Sequence, residues 1–141
     1  MANAQQETEW RGSQGGKEAF TVIVVRTPAA WNDLWAGIGE AAPAAFETDG
    51  PIAVAIFLGR RRTGGYGVTI ESVERRGAVM VATVKEIRPA ADAMVTQALT
   101  SPYLVRLIAR TELPVGVARP GGEDADLFVP PSEARILEDR N

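Results

Sequence analysis

Residues 51–74 read PIAVAIFLGRRRTGGYGVTIESVE, and the way the chain passes from Leu58 to Tyr66 decides the fold. The first run, 51–59, is apolar from Ile52 to Leu58. An unbroken apolar run of that length, bounded by proline and glycine, predicts a strand covered on both faces and therefore central in its sheet. The second run, YGVTIESVE (66–74), alternates, with Tyr66, Val68 and Ile70 on one side, as a strand with one face on the core does. Val73 breaks that parity, which predicts a bulge or a strand end near Glu71–Ser72. Between the runs, Gly64 and Gly65 offer the positive φ that a tight turn requires, so TGGY (63–66) predicts a hairpin joining antiparallel strands.

Upstream, FTVIVVR (20–26) is a β-branched run, apolar on both faces, and predicts a well-covered strand. The helix signal comes next. Thr27 is placed to cap, Pro28 stands at the first helical position, and Gly39 lies just past the end. Trp31, Leu34, Trp35 and Ile38 then form one apolar stripe, which reads as core rather than as a stacking face for a ligand. Downstream, ERRGA makes a turn and VMVATVKEI (79–87) returns. After a loop, PYLVRLIARTE (102–112) sets Leu104, Arg106, Ile108 and Arg110 against Tyr103, Val105, Leu107 and Ala109. Strand, helix and then at least four strands predict an α+β fold that is mainly β. The expected form is an antiparallel sheet, as a sandwich or half-barrel, with one N-terminal amphipathic helix packed on it.

The 141 residues fit one domain. Residues 1–19 read as a flexible N-terminal segment in which Trp10 pins a short edge strand, and 20–112 as the β-rich globular domain. Residues 113–141 read as an extended C-terminal arm with a short strand at LFV (127–129) and a terminal helical turn. The opening MANAQQETEW has no apolar signal-peptide core, and no stretch approaches the roughly 18 apolar residues of a membrane helix. Membrane insertion is therefore not expected.

The counts of zero restrict the chemistry most. With no histidine and no cysteine there is no imidazole base, no thiolate nucleophile and no usual zinc site. The remaining acidic candidates are weak. Glu71 and Glu74 fall in a strand end and turn, and GGEDAD offers only Asp124-x-Asp126 of a calcium loop. The reading is non-enzymatic, without metal or cofactor. A net charge of −3, with arginine clusters only at 60–62 and 75–76 and no aromatic residues interleaved, argues against nucleic acid.

The spacing from Gly59 to Gly64 is that of a phosphate-binding loop, but Gly65 and Tyr66 follow where lysine and a hydroxyl residue are needed, and a strand follows in place of a helix. Arg60, Arg61 and Arg62 leave three readings open: a solvated loop tip that discourages edge pairing, a contact for a protein surface, or a small-anion site. The candidate partner-binding residues are accordingly Arg60, Arg61, Arg62, Thr63, Gly64, Gly65 and Tyr66.

The stretch from about 54 to 110 resembles the C-terminal domain of the protease-complex-subunit PrcB family. The residues that carry the resemblance are Thr63, Gly64, Gly65 and Tyr66, then Val84, Glu86 and Pro89, and finally Thr100, Pro102 and Tyr103. The resemblance implies a non-catalytic subunit that assembles or stabilises a protease complex, with another protein, a peptidase among the candidates, as partner. A second likeness is to the N-P-T-T-G-Y loop of chagasin-type peptidase inhibitors, which implies a peptidase inhibitor presenting the TGGY hairpin; here Arg61 and Arg62 stand in place of Asn-Pro.

Overall fold

The computed structural model describes residues 8–118 and 127–139. Ile52–Phe57 forms β3, and every one of its six residues is buried. The reason is a layer on each face. Ile52, Val54 and Ile56 point one way, joined by Leu104 and Ile108 of β6 (Tyr103–Ile108). They meet Val68 and Ile70 of β4 (Gly67–Arg76), Ala82 and Val84 of β5 (Val79–Ile87), and Val115 and Val117 of β7 (Val115–Ala118). Ala53, Ala55 and Phe57 point the other way, with Tyr103 and Val105, onto Trp31, Leu34 and Trp35 of α1 (Pro28–Ile38). The molecule is thus a helix laid on a four-stranded sheet that is itself packed on a three-stranded sheet.

The four-stranded sheet runs β1 (Glu9–Gly12), β6, β3, β2 (Thr21–Val25), all neighbours antiparallel. The three-stranded sheet runs β4, β5, β7, and the sheets do not close into a barrel. The fold is mainly β, with antiparallel sheets and a helix packed on them, as the sequence predicts. One pair departs from that pattern: β7 lies parallel to β5, from Met80↔Val115 to Thr83↔Ala118. β2 is an edge strand rather than a fully covered one; Val22 and Val25 are buried while Ile23 and Val24 are half-buried.

The local signals act as expected in α1. The Thr27 hydroxyl accepts from the Ala30 amide at 3.1 Å, Pro28 starts the helix, and Gly39 ends it at φ 91° while its amide donates to the Trp35 carbonyl. In the second sheet the β4–β5 register shifts between Ile70 and Ser72, the bulge that Val73 announces. Gly77, at φ 61°, closes the turn between these strands.

The TGGY hairpin does not form. Both edges of β3 are already occupied, by β2 and β6, so β4 cannot pair with it and pairs with β5 instead. The chain from Leu58 to Tyr66 crosses from one sheet to the other. Residues on either side of 20–112 also belong to the sheets: β1 is an edge of the first, around Trp10, and β7 an edge of the second. Phe128, in the LFV stretch, bridges back to Val117, and the expected terminal turn is a nine-residue helix, α2 (Pro131–Asp139). The Asp124-x-Asp126 pair lies outside the described residues. Among the described residues no helix is long and apolar enough to cross a membrane.

Candidate functional site

Gly59 opens the crossing at φ 97°, and a β-carbon there would stand 3.1 Å from the backbone of Glu18, Ala19 and Phe20. Only glycine permits both that conformation and that approach. From there the loop is stitched to the segment preceding β6. The Leu58 amide donates to the Pro102 carbonyl at 2.9 Å, and Arg61 and Thr100 exchange backbone hydrogen bonds at 2.7 and 2.9 Å. The Gly64 amide donates to the Thr96 carbonyl at 2.9 Å, and the Thr100 hydroxyl donates to the Thr63 carbonyl at 2.8 Å. Gly65, at φ 90°, lies on Pro89 and Val95, so closely that a β-carbon would stand 2.8 Å from the proline ring.

The three arginines do not converge. Arg60 pairs with Glu18 at 2.7 Å, both well exposed. Arg61 turns inward, its Nε donating to Glu86 at 3.1 Å and its guanidinium lying 5.7 Å from the centre of the Tyr66 ring. Glu86 also faces Arg88 at 3.5 Å. Arg62 is exposed, and no described residue forms an ion pair with it. An anion would meet one free guanidinium here, not a fan of three.

Thr63, Gly65, Tyr66, Glu86, Pro89, Thr100 and Pro102 lie far apart in the sequence yet meet around this crossing. They hold the loop in one shape. Glu86, Pro89, Thr100 and Pro102, motif residues in the sequence, form the other half of the loop; Thr96, which acts through its backbone carbonyl, and Glu18, which acts through its carbonyl and its carboxylate, carry no sign in the sequence of the loop they meet.

Large apolar side chains are exposed on and next to the two packed loops. Met94 is 100% exposed and Leu99 57%, and Ile87 is also exposed. Beside Ile87 lies a shallow groove of about 460 Å³, whose walls include Gly12, Gly65, Tyr66 and Tyr103. Arg11, which also lines this groove, is an exposed cation. Such a surface offers hydrophobic contact and hydrogen-bond donors rather than a nucleophile and its base.

Residues 52–108 match the family model described as PrcB C-terminal. Comparison with curated proteins and comparison with solved structures each return no match.

Proposed function

We propose that this chain, carrying a PrcB C-terminal domain, is a non-catalytic protein-binding subunit whose partner belongs to a protease complex. The observation that supports the reading most is the joined surface of the 59–66 and 88–101 loops. Met94 and Leu99 of the second loop are exposed, as are Arg60 and Arg62 of the first. Methionine and arginine are enriched in protein interfaces. Because the loops are hydrogen-bonded to each other, little conformational entropy is lost when a partner binds them. The inhibitor reading has less support, since the TGGY segment is folded onto 96–101 rather than projecting as a hairpin.

A photo-crosslinking residue in place of Met94, in the cells that make the protein, tests this reading. One dominant adduct, with a peptidase or a component of its complex, is expected. Adducts scattered over many proteins, or none at 94 while other positions give one, would place the contact elsewhere. Stoichiometric inhibition of a papain-like peptidase would favour the inhibitor.

A further inference from the structure

Four strand edges bound the two sheets, and three of them are guarded. β1 is four residues long and carries Glu9 and Arg11. β4 bends at the bulge between Ile70 and Ser72 and carries Glu71, Glu74, Arg75 and Arg76. The outer side of β7 is taken by Phe128, which exchanges backbone hydrogen bonds with Val117, each at 2.8 Å. Short strands, charges, bulges and covering segments keep an exposed edge from pairing with another chain. β2 has none of these. It reads TVIVV, every residue β-branched, without charge, proline or glycine. Its register with β3 runs unbroken from Thr21↔Phe57 to Val25↔Ala53.

The unused hydrogen-bonding groups of this edge can be named. Along an antiparallel strand, the backbone groups of successive residues point alternately to the two sides. The Leu107 amide donates to Thr8, on the β1 side of β6, so Leu104, Arg106 and Ile108 face β3. The Leu58 amide donates to Pro102, which likewise turns Ile52, Val54 and Ile56 toward β6. Ala53, Ala55 and Phe57 therefore bond to Val25, Ile23 and Thr21. Val22 and Val24 are left with N–H and C=O groups pointing out of the sheet, where no described strand pairs with them. Their side chains do not shield the edge, since both pack into the space between the sheets.

We propose that β2 pairs with β2 of a second copy of this chain, antiparallel about a twofold axis at Ile23, so that the two four-stranded sheets become one continuous sheet. An occupant of this edge must be an extended, uncharged, β-branched run with two outward-facing residues, and β2 is itself that run. With Ile23 opposite Ile23, Val22 of each copy lies opposite Val24 of the other, and the outward groups meet as hydrogen-bonded pairs. Thr21 falls opposite Val25, so this register pairs every residue of both strands and sets no charge against its like. Carried one residue further, it places Phe20, which is 43% exposed, opposite Arg26 of the other copy. Cross-strand neighbours share a face, so the ring lies beside the guanidinium.

Sedimentation equilibrium of the full chain should show a dimer that grows with concentration. Val24→Pro removes an outward N–H and no bond to β3, and proline is tolerated on an edge strand at such a position. It should weaken self-association more than about tenfold, through the hydrogen bonds lost from both copies, while urea unfolding still shows a folded chain. Because the chain has no cysteine, single cysteines report the register. Opposite residues of a non-hydrogen-bonded pair have Cα atoms about 4.5 Å apart, within reach of a disulfide. Ile23→Cys should therefore oxidise to a linked dimer, and Thr21→Cys, which faces Val25, should not. Three results would each overturn the proposal: a wild-type chain monomeric up to about 1 mM, a folded Val24→Pro chain that associates as tightly as the wild type, or Thr21→Cys linking as readily as Ile23→Cys. The first would do so even if a strand of another protein were found on this edge.

Discussion

Glu133 of α2 grips Arg26 at the end of β2: its Oε1 lies 2.6 Å from Arg26 Nη2 and its Oε2 accepts from Nε at 3.1 Å. The same Oε1 accepts from the Val115 amide at 3.0 Å, while Arg26 donates to the carbonyls of Thr111 and Leu113. One buried carboxylate therefore ties the C-terminal helix, the parallel strand and the first sheet together. Removing it would leave a partly buried guanidinium without its counter-charge and a buried amide without its acceptor. Glu133→Ala should destabilise the chain by about 3–5 kcal/mol, the usual effect of breaking a buried pair from one side. Urea unfolding measures it, and a loss below about 1 kcal/mol would show that the clamp does not hold in solution.

The two glycines of the crossing loop should respond differently. Gly65 has φ 90° and no room toward Pro89, whereas Gly64 has no positive φ and a β-carbon there would meet Thr96 at 3.4 Å. Gly65→Ala should lower stability by about 1–3 kcal/mol through backbone strain and crowding. Gly64→Ala should change it by less than about 1 kcal/mol. Thermal melts of the two variants decide between this and a loop that simply relaxes.

The arginines likewise separate. Arg60→Ser with Arg62→Ser should leave the melting temperature nearly unchanged, because exposed charges contribute little to folding. Adding Arg61→Ser should then destabilise by about 1 kcal/mol, since it removes the contact with Glu86 and the Tyr66 ring. If the partner docks here, the double variant should slow association and reduce its salt dependence, as rim charges do. Surface plasmon resonance with the identified partner would show an unchanged on-rate if these arginines lie outside the interface.

Acid should loosen β1 first. Burial pushes the Glu9 carboxyl up, but hydrogen bonds from Arg11 and Arg106 and their charges outweigh it, so its pKa lies below the ordinary value. A depressed folded-state pKa means that the stabilisation is fully present above the ordinary carboxylate pKa of about 4.3 and is lost as pH falls through the lower folded value. Hydrogen exchange at the β1–β6 amides should accelerate across that window, and Glu9→Gln should remove the pH dependence. Exchange independent of pH in the wild type, after correction for the intrinsic rate, would contradict this.

What the sequence revealed was local. Thr27, Pro28 and Gly39 mark α1 because capping depends on residues within one turn of each other, and Val73 marks the bulge because side-chain alternation has a fixed period. In sequence the crossing from β3 to β4 looks like a hairpin, because two strands around paired glycines look alike whether the chain folds back or changes sheet. The difference lies in β6 occupying an edge of β3, which is a long-range fact. The candidate residues were recognisable as a motif, but Arg61 turning to Glu86 depends on a strand 25 residues away. The burial of Glu133 was hidden for the same reason: a glutamate in a polar tail gives no sign of the arginine it will meet.

The layered arrangement also limits what can be moved from this protein into another. The family match covers β3 to β6 and leaves out α1, α2, β1, β2 and β7. Excised, that segment would keep the hydrogen bonds between its two loops and lose the one from Arg60 to Glu18, and Ala53, Ala55, Phe57, Tyr103 and Val105 would face water where Trp31, Leu34 and Trp35 now cover them. On the other side, Val115 and Val117 would be missing from the core. The matched segment is therefore smaller than the packed core to which it contributes. A graft of residues 52–108 would need a host that supplies a greasy lid on one side and a flanking strand on the other.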